Sequence, residues 1–353
     1  MKRAIGIVLI GLLMIFFAAY CGGGGPRRVP LAKPFPPSPV GEQLYGKYCA
    51  LCHGDDGEGY KADEATALRS QDFLTIVSDS YISENTRRGR PGTPMSAWGL
   101  ELGGALDAGE LAAVVAHTRA WQQEQPIDVS GVKVDGDAEA GAEPYALHCE
   151  TCHGQQGEGA TAMTLNNPVF QETASDGLIR LTVEHGRRET KMPGFGGQLP
   201  GGEIDDVVAF VKAFPPSIPP SAASLDAPTG DPILNPGGPP AELTPKDGRF
   251  VPADDVKAAL DAGQSLVMID ARPFSDYQIS HIEGAISMPF YDVEKRADEL
   301  PRDLWIITYC GCPHAISGQA LDALRALGFE KSGILDEGVY VWQERGYPMV
   351  VSE

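Results

Sequence analysis

Gly41-Glu-Gln-Leu-Tyr45-Gly-Lys-Tyr-Cys49-Ala-Leu-Cys52-His53-Gly-Asp-Asp-Gly57-Glu58-Gly59 returns, 100 positions later, as Gly141-Ala-Glu-Pro-Tyr145-Ala-Leu-His-Cys149-Glu-Thr-Cys152-His153-Gly-Gln-Gln-Gly157-Glu158-Gly159. Further along, Gly89-Arg90 and Met95 match Gly186-Arg187 and Met192 at an offset of 97, and Glu110 to Trp121 matches Glu203 to Phe214 at an offset of 93. A register that slips only between matched blocks places the deletions in loops. The chain therefore carries two copies of one unit.

Each copy holds Cys-x-x-Cys-His. Two thiols at this spacing add across the vinyl groups of a haem, and the adjoining His, held beside them, becomes an axial ligand of the iron. A thioredoxin-like dithiol is the competing reading of Cys-x-x-Cys, but it explains neither the His nor the surrounding helices. The expectation is two covalently bound haem c groups, one at Cys49, Cys52 and His53 and one at Cys149, Cys152 and His153. A Met is usually core filler. Met95 and Met192, however, sit at matching places in Gly- and Pro-flanked loops too polar to form a packed helix face, and they are the candidate second axial ligands. The rival ligands are histidines. His117 aligns with Phe210 and is expected in an aromatic packing slot, His148 aligns with Tyr48 beside the attachment Cys, and His185 is the competitor of Met192.

On these residues both units resemble class I cytochrome c domains. The resemblance implies small all-α folds with His and Met ligation, and one-electron transfer rather than substrate turnover. It also implies that a carbonyl from Pro168 orients His153, with Gln71 at the corresponding place in the first copy. Because groups around the ligands tune the iron, the two haems need not share a potential.

The third unit reads as alternating strands and helices, with buried-strand runs at 265–270 and 304–309 and helical periodicity over 317–327. Asp270-Ala-Arg272, Tyr277, His281-Ile-Glu-Gly284-Ala285, Pro289, Leu335-Asp-Glu-Gly338 and Trp342 resemble the rhodanese homology domain. This implies an α/β fold with a parallel sheet, in which Arg272 and His281 are structural. Cys310 holds the place of that family's sulfur-carrying Cys, above a helix N-terminus. The loop that follows, Cys310-Gly-Cys312-Pro-His314-Ala-Ile-Ser317, is one residue longer than usual. It has no Arg at its end, and Pro313 removes one N–H donor. Three readings stand side by side. In one, Cys310 carries sulfane sulfur as a persulfide, with Cys312 as resolving thiol and His314 as acid-base helper. In another, Cys310 and Cys312 form a redox dithiol or, with His314, a soft-metal site. In the third, the unit only docks.

Around these units, Lys2 and Arg3 precede an apolar run from Ala4 to Tyr20 that ends at Cys21. This is an export signal. Ala18-Ala19-Tyr20-Cys21 resembles a bacterial lipoprotein processing site, departing from it at Tyr20, so a lipidated Cys21 and an uncleaved anchor both stay open. Either way the expectation is a periplasmic or cell-envelope protein tethered at its N-terminus. A net charge of -20 argues against nucleic acid and for redox partners with a basic docking face. The expected organisation is a signal or anchor at 1–25 and a Pro-rich linker at 26–40, then a cytochrome unit at 41–124, a linker at 125–138 and a second cytochrome unit at 139–214. A Pro-rich linker at 215–245 leads to the rhodanese-like unit at 246–353. That linker carries 9 prolines between Pro215 and Pro240 and reads as an extended spacer. By chain order, Cys310 is expected near the second haem, at Cys149 and Cys152. The whole reads as a dihaem electron carrier whose last unit handles a small sulfur substrate. The alternative is a sulfurtransferase or thiol-redox enzyme whose haems drain its electrons.

Overall fold

The computed structural model describes residues 27–28, 36–62, 65–216, 232–311 and 314–351. The apolar run with Cys21, parts of both Pro-rich linkers, and Cys312 lie outside these residues. No helix among the described residues is long and apolar enough to cross a membrane.

The first unit is helical: α1 (Pro39–Tyr48), α2 (Ala50–His53), α3 (Gln71–Leu74), α4 (Asp79–Arg88) and α5 (Ala108–Ala120). Its boundaries follow from capping. Ser38 accepts from the N–H of Gly41 with Pro39 at the first helical position, and Asp107 and Glu110 cap the start of α5 reciprocally. The second unit repeats the plan with α6 (Ala142–His148), α7 (Glu150–His153), α8 (Pro168–Thr173), α9 (Asp176–His185) and α10 (Gly201–Lys212).

In both units the first and last helices cross at a glycine. A Cβ on Gly41 would stand 2.0 Å from the Ala113 carbonyl oxygen, and one on Gly141 would stand 2.1 Å from that of Asp206, so only glycine lets the backbones approach this closely. Aromatic rings then fill the crossing: Tyr45, His117 and Trp121 in one unit, Tyr145, Phe210 and Phe214 in the other. His117 thus occupies a packing slot, as its alignment with Phe210 predicts. Further along the last helix, Arg119 donates to the carbonyls of Leu74 and Val77, while Lys212 donates to those of Gln171 and Ala174. Each cation satisfies carbonyls left open by a short helix.

The units share one apolar core. Phe73, Leu74, Tyr81 and Ile82 belong to the same buried cluster as Phe170, Ile179, Val207 and Phe214. The Asn85 amide donates to Thr173 Oγ1 at 2.9 Å, and the Asn167 amide donates to the Pro91 carbonyl at 3.0 Å. The short β1 (Arg27–Arg28) pairs antiparallel with β2 (Ile127–Asp128), which lies in the segment between the units.

The third unit contains β3 (Ile233–Leu234), β4 (Phe250–Val251), β5 (Leu266–Asp270), β6 (Ser280–Ile282), β7 (Ile286–Ser287), β8 (Trp305–Tyr309), β9 (Ser332–Leu335) and β10 (Met349–Val351). Its helices are α11 (Ala253–Asp261), α12 (Phe274–Ile279), α13 (Val293–Arg296), α14 (Ala315–Ala326) and α15 (Gly338–Glu344). The main sheet has the order β3-β5-β8-β9-β4, with β7 also paired to β5. Strand β5 is buried throughout, as a strand covered on both faces must be.

Two details differ from the sequence reading. The sheet is mixed, because β3 runs antiparallel to β5, and β3 comes from the stretch read as linker, 215–245. Ile233 and Leu234 are an apolar pair between prolines, and an edge strand needs partners on one side only, so the prolines do not prevent it.

The third unit also packs on the first cytochrome unit, not on the second as chain order implies. Trp98, Leu106, Leu111 and Val114 join a buried cluster with Val267, Ile269, Phe290 and Ile316. Tyr48 meets Phe290 and Tyr291 edge-on. The Ser96 hydroxyl donates to Asp276 Oδ2 at 2.5 Å, and the Ser275 hydroxyl donates to the Ala97 carbonyl at 3.2 Å. The apolar surface around Trp98 governs this placement.

Candidate functional site

Helix α1 runs into Cys49, and α2 carries Cys52 and His53 on its single turn. The Tyr45 hydroxyl donates to the Gly54 carbonyl at 2.8 Å and ties the end of that turn back to α1; Tyr145 and Gly154 repeat the bond at the same distance.

His53 Nδ1 lies 2.9 Å from the Thr66 carbonyl oxygen, and His153 Nδ1 lies 2.9 Å from that of Met163. A carbonyl only accepts, so each Nδ1 carries the hydrogen and each Nε2 keeps a lone pair for a metal. Burial, the largest influence, moves both imidazoles below their usual pKa and so favours the neutral, ligating form.

These acceptors correct the expectation placed on Pro168 and Gln71. Pro168 opens α8, and the Gln71 carbonyl is already engaged by the N–H and hydroxyl of Thr75. With the same arrangement around both histidines, this source of unequal potentials disappears.

The Met loops are built alike. The N–H of Arg90 donates to the Met95 carbonyl at 2.7 Å, and that of Arg187 donates to the Met192 carbonyl at 3.0 Å. In each loop a threonine hydroxyl closes the turn, donating to the Arg carbonyl and accepting from the Met N–H: Thr93 in one, Thr190 in the other. Sequence reasoning missed these threonines. The signal was present as Gly-Arg-x-x-Thr-x-Met at 89–95 and 186–192.

In the first unit, Cys49, Cys52, His53 and Met95 border one cavity of about 420 Å³, which Leu68, Phe73, Ile82 and Val114 make largely apolar. That volume lies in the range of cofactor sites. Of the rival ligands, His148 packs against Phe195, and His185 is exposed at the end of α9. Burial also pushes the Cys49 thiol up to about 12 and, as the larger of two causes, the Cys149 thiol up to about 11. A thiol used in disulfide exchange is shifted the other way, toward thiolate, which disfavours the dithiol reading. The donor set of thiols, an imidazole with a free Nε2 and a thioether on an apolar cavity fits a covalently attached haem.

In the third unit, Cys310 follows β8 and is 1% exposed, its Sγ 3.2 Å from Ser317 Oγ at the start of α14. Its carbonyl accepts from the Val339 N–H, and Gly338 passes close beneath it. His314, with φ +75°, lies against the Phe250 ring, and its Nε2 is 3.8 Å from Asp336 Oδ1. Cys312 lies outside the described residues.

Arg272 and His281 are structural in their contacts. Arg272 forks onto buried Asp270 at 2.6 and 2.9 Å, and His281 stacks on Tyr277 with centroids 3.7 Å apart. The first unit also packs beside Gly311, the residue after Cys310. Pro94 and Ser96 face Gly311 and Tyr340 across a gap of about 10 Å³, room for roughly one water.

With the fold and these sites in place, the class of the chain's domains follows: two helical units carry the residue frame that fits covalently bound haem c. The chain carries cytochrome c domains followed by a rhodanese-like domain: the family described as cytochrome c oxidase, cbb3-type, subunit III matches residues 38–117 and 136–211, and the family described as rhodanese-like domain matches residues 252–345. Among relatives, the Cbb3-type cytochrome c oxidase subunit FixP of Azorhizobium caulinodans is 27% identical over 180 residues, covering 49% of this chain and 58% of the relative. The FixP subunit of Bradyrhizobium sp. is 27% identical over 186 residues, covering 49% and 60%. The chain thus spans under two thirds of each. A solved rhodanese-like domain of the Alr3790 protein from Anabaena sp. is 31% identical, covering 29% of this chain and 77% of that one, with a TM-score of 0.27.

Proposed function

We propose that the chain carries two haems, at Cys49/Cys52 and Cys149/Cys152, with His53/Met95 and His153/Met192 as iron ligands. It moves single electrons between redox proteins on the outer side of the cytoplasmic membrane. Haem supplies the one-electron couple when bound. The chain's own residues attach it, hold each imidazole with its Nε2 toward the metal, and exclude water with an apolar wall. The observation that carries this reading is the duplicated frame: the same Tyr–Gly bond, the same His–carbonyl bond and the same Thr-closed Met loop in both units. The experiment is a haem count on denatured protein, with two covalent haems per chain expected and one or none overturning it.

The rhodanese-like unit, in this reading, takes sulfane sulfur at Cys310. The thiolate bonds to the outer sulfur of a persulfide or polysulfide donor as the donor's S–S bond breaks and its remaining sulfur leaves as a thiolate. Support comes from the place of Cys310 between β8 and the N-terminal turn of α14. A second reading, in which the unit only docks, is favoured by the packing of Pro94 and Ser96 of the first unit beside Gly311 and Tyr340. Lys2 and Arg3 ahead of the apolar run from Ala4 to Tyr20 support an N-terminal tether, and the net charge of -20 supports partners with a basic face.

A further inference from the structure

The cavity of the first unit is bordered by residues of the second, among them Glu158, Met163 and Arg187. Arg187, from the loop ahead of Met192, lines it beside Arg90, the matching residue of the first unit. The two arginines are exchanged. The guanidinium of Arg187 lies 4.9 Å from the ring centroid of Phe73 in the first unit, and that of Arg90 lies 5.4 Å from Phe170 in the second, these phenylalanines being repeat equivalents.

Arg90 has neutral partners, donating to the Tyr81 hydroxyl at 2.9 Å and Asn85 Oδ1 at 3.3 Å. Arg187 Nε is closed off from solvent without an acceptor. Asp72, a weak influence on Arg187, is engaged by Arg188 at 2.8 Å. The surface of Arg187 is only partly covered because it borders the cavity, yet protein surrounds it densely enough that desolvation, then the like charge of Arg90, lowers its pKa. A buried cation is stable only when paired, and a guanidinium fork matches a carboxylate best.

We propose that Arg187 binds a haem carboxylate across the unit boundary: its guanidinium takes a propionate of the haem attached at Cys49 and Cys52, with Arg90 beside it. The second unit then completes the cofactor site of the first, and the charge at Arg187 sets the affinity of that haem for an electron. This rests on the first unit carrying a haem. A wild-type chain with no haem at Cys49 and Cys52 lacks the corresponding redox wave altogether, so the two failures are distinguishable.

The test is an optical redox titration of the full chain and of Arg187→Met, Arg187→Gln and Arg187→Lys variants. The wave of the first haem is identified as the one moved by Met95→His. Removing a positive charge favours the oxidised form, so the Met and Gln variants are expected to lower the reduction equilibrium of that haem about tenfold, which is about 59 mV for one electron. The Lys variant keeps the charge and is expected to stay near wild type. Arg187→Met keeps the apolar contact with Phe73, so a packing role alone leaves the wave in place. An unmoved first wave in both the Met and Gln variants, movement of the second wave only, or a Lys variant that falls as far as Gln overturns the proposal.

Discussion

The Ser96 hydroxyl donates to Asp276 Oδ2 at 2.5 Å, joining the Met95 loop of the first unit to α12 of the third. Burial at this joint raises the Asp276 carboxyl from 3.8 to about 6, against the lowering influence of Arg272 and of Ser96 itself and with a smaller raising influence from Asp270. A carboxyl raised in the folded state contributes stability that is complete below the unfolded value, near pH 4, and is lost as pH rises through about 6. The loss is on the order of 3 kcal/mol. Asp276→Asn keeps a hydrogen-bonding partner for Ser96 and does not ionise. In denaturant titrations of the full chain, wild type and variant are expected to match near pH 4, with the variant more stable at pH 7.5. Parallel pH profiles would count against this.

Gly41 is where α1 touches α5. Gly41→Ala places a methyl group 2.0 Å from the Ala113 carbonyl oxygen, against backbone that cannot rotate away. Forcing the helices apart is expected to cost about 1–3 kcal/mol in urea titration. Gly46 on the same helix has open space where its Cβ would be, so Gly46→Ala serves as the control and is expected to be neutral or slightly stabilising. Equal losses in the two variants would show that the crossing is not the cause.

The Met loops separate ligation from packing. Met95→Ala and Met192→Ala are each expected to remove the Met-to-iron charge-transfer band of one haem while leaving two covalent haems per chain. If the band survives both changes together, a different side chain is the ligand. Thr93→Val should shift the band of the first haem without abolishing it, since the hydroxyl shapes the loop through Arg90 and Met95.

Much of this was legible in the sequence because it depends on short-range spacing. Cys-x-x-Cys-His fits one helical turn, the offset between copies pairs His117 with Phe210, and Asp270 stands two residues from Arg272. The unread parts depend on contacts between distant segments. Thr66 and Met163 reach His Nδ1 through loops whose path no local pattern dictates. No local pattern marks Tyr48 and Trp98 as joint residues, yet they meet Tyr291 of the third unit. Ile233 and Leu234 lie among prolines, and only the free edge of β5 makes them a strand.

The proposed N-terminal tether is tested at Cys21, which lies outside the described residues. Cys21→Ala is expected to release protein from the membrane fraction if the Cys is lipidated. Unchanged retention, with the N-terminus intact by mass spectrometry, identifies an uncleaved apolar anchor instead.

Cys310 and the first haem site are neighbours through two adjoining residues: Ser317 Oγ lies 3.2 Å from the Cys310 sulfur, and Ile316 forms part of the wall of the first cavity. Sulfur carried on Cys310 is therefore expected to communicate with the haem at Cys49 and Cys52 rather than with the one at Cys149 and Cys152. The joint at Ser96 and Asp276 lies beside Gly311, the residue after Cys310, so loosening it is expected to widen access to the thiol. Haem reduction by polysulfide, followed in the full chain, is expected to be severalfold slower in Cys310→Ser and faster in Ser96→Ala, which weakens the joint without touching the thiol. The two effects have opposite signs, so general damage to the protein cannot produce both. Equal rates in wild type and both variants would mean that polysulfide reduces the haems directly and that the rhodanese-like unit serves only to dock against the first cytochrome domain.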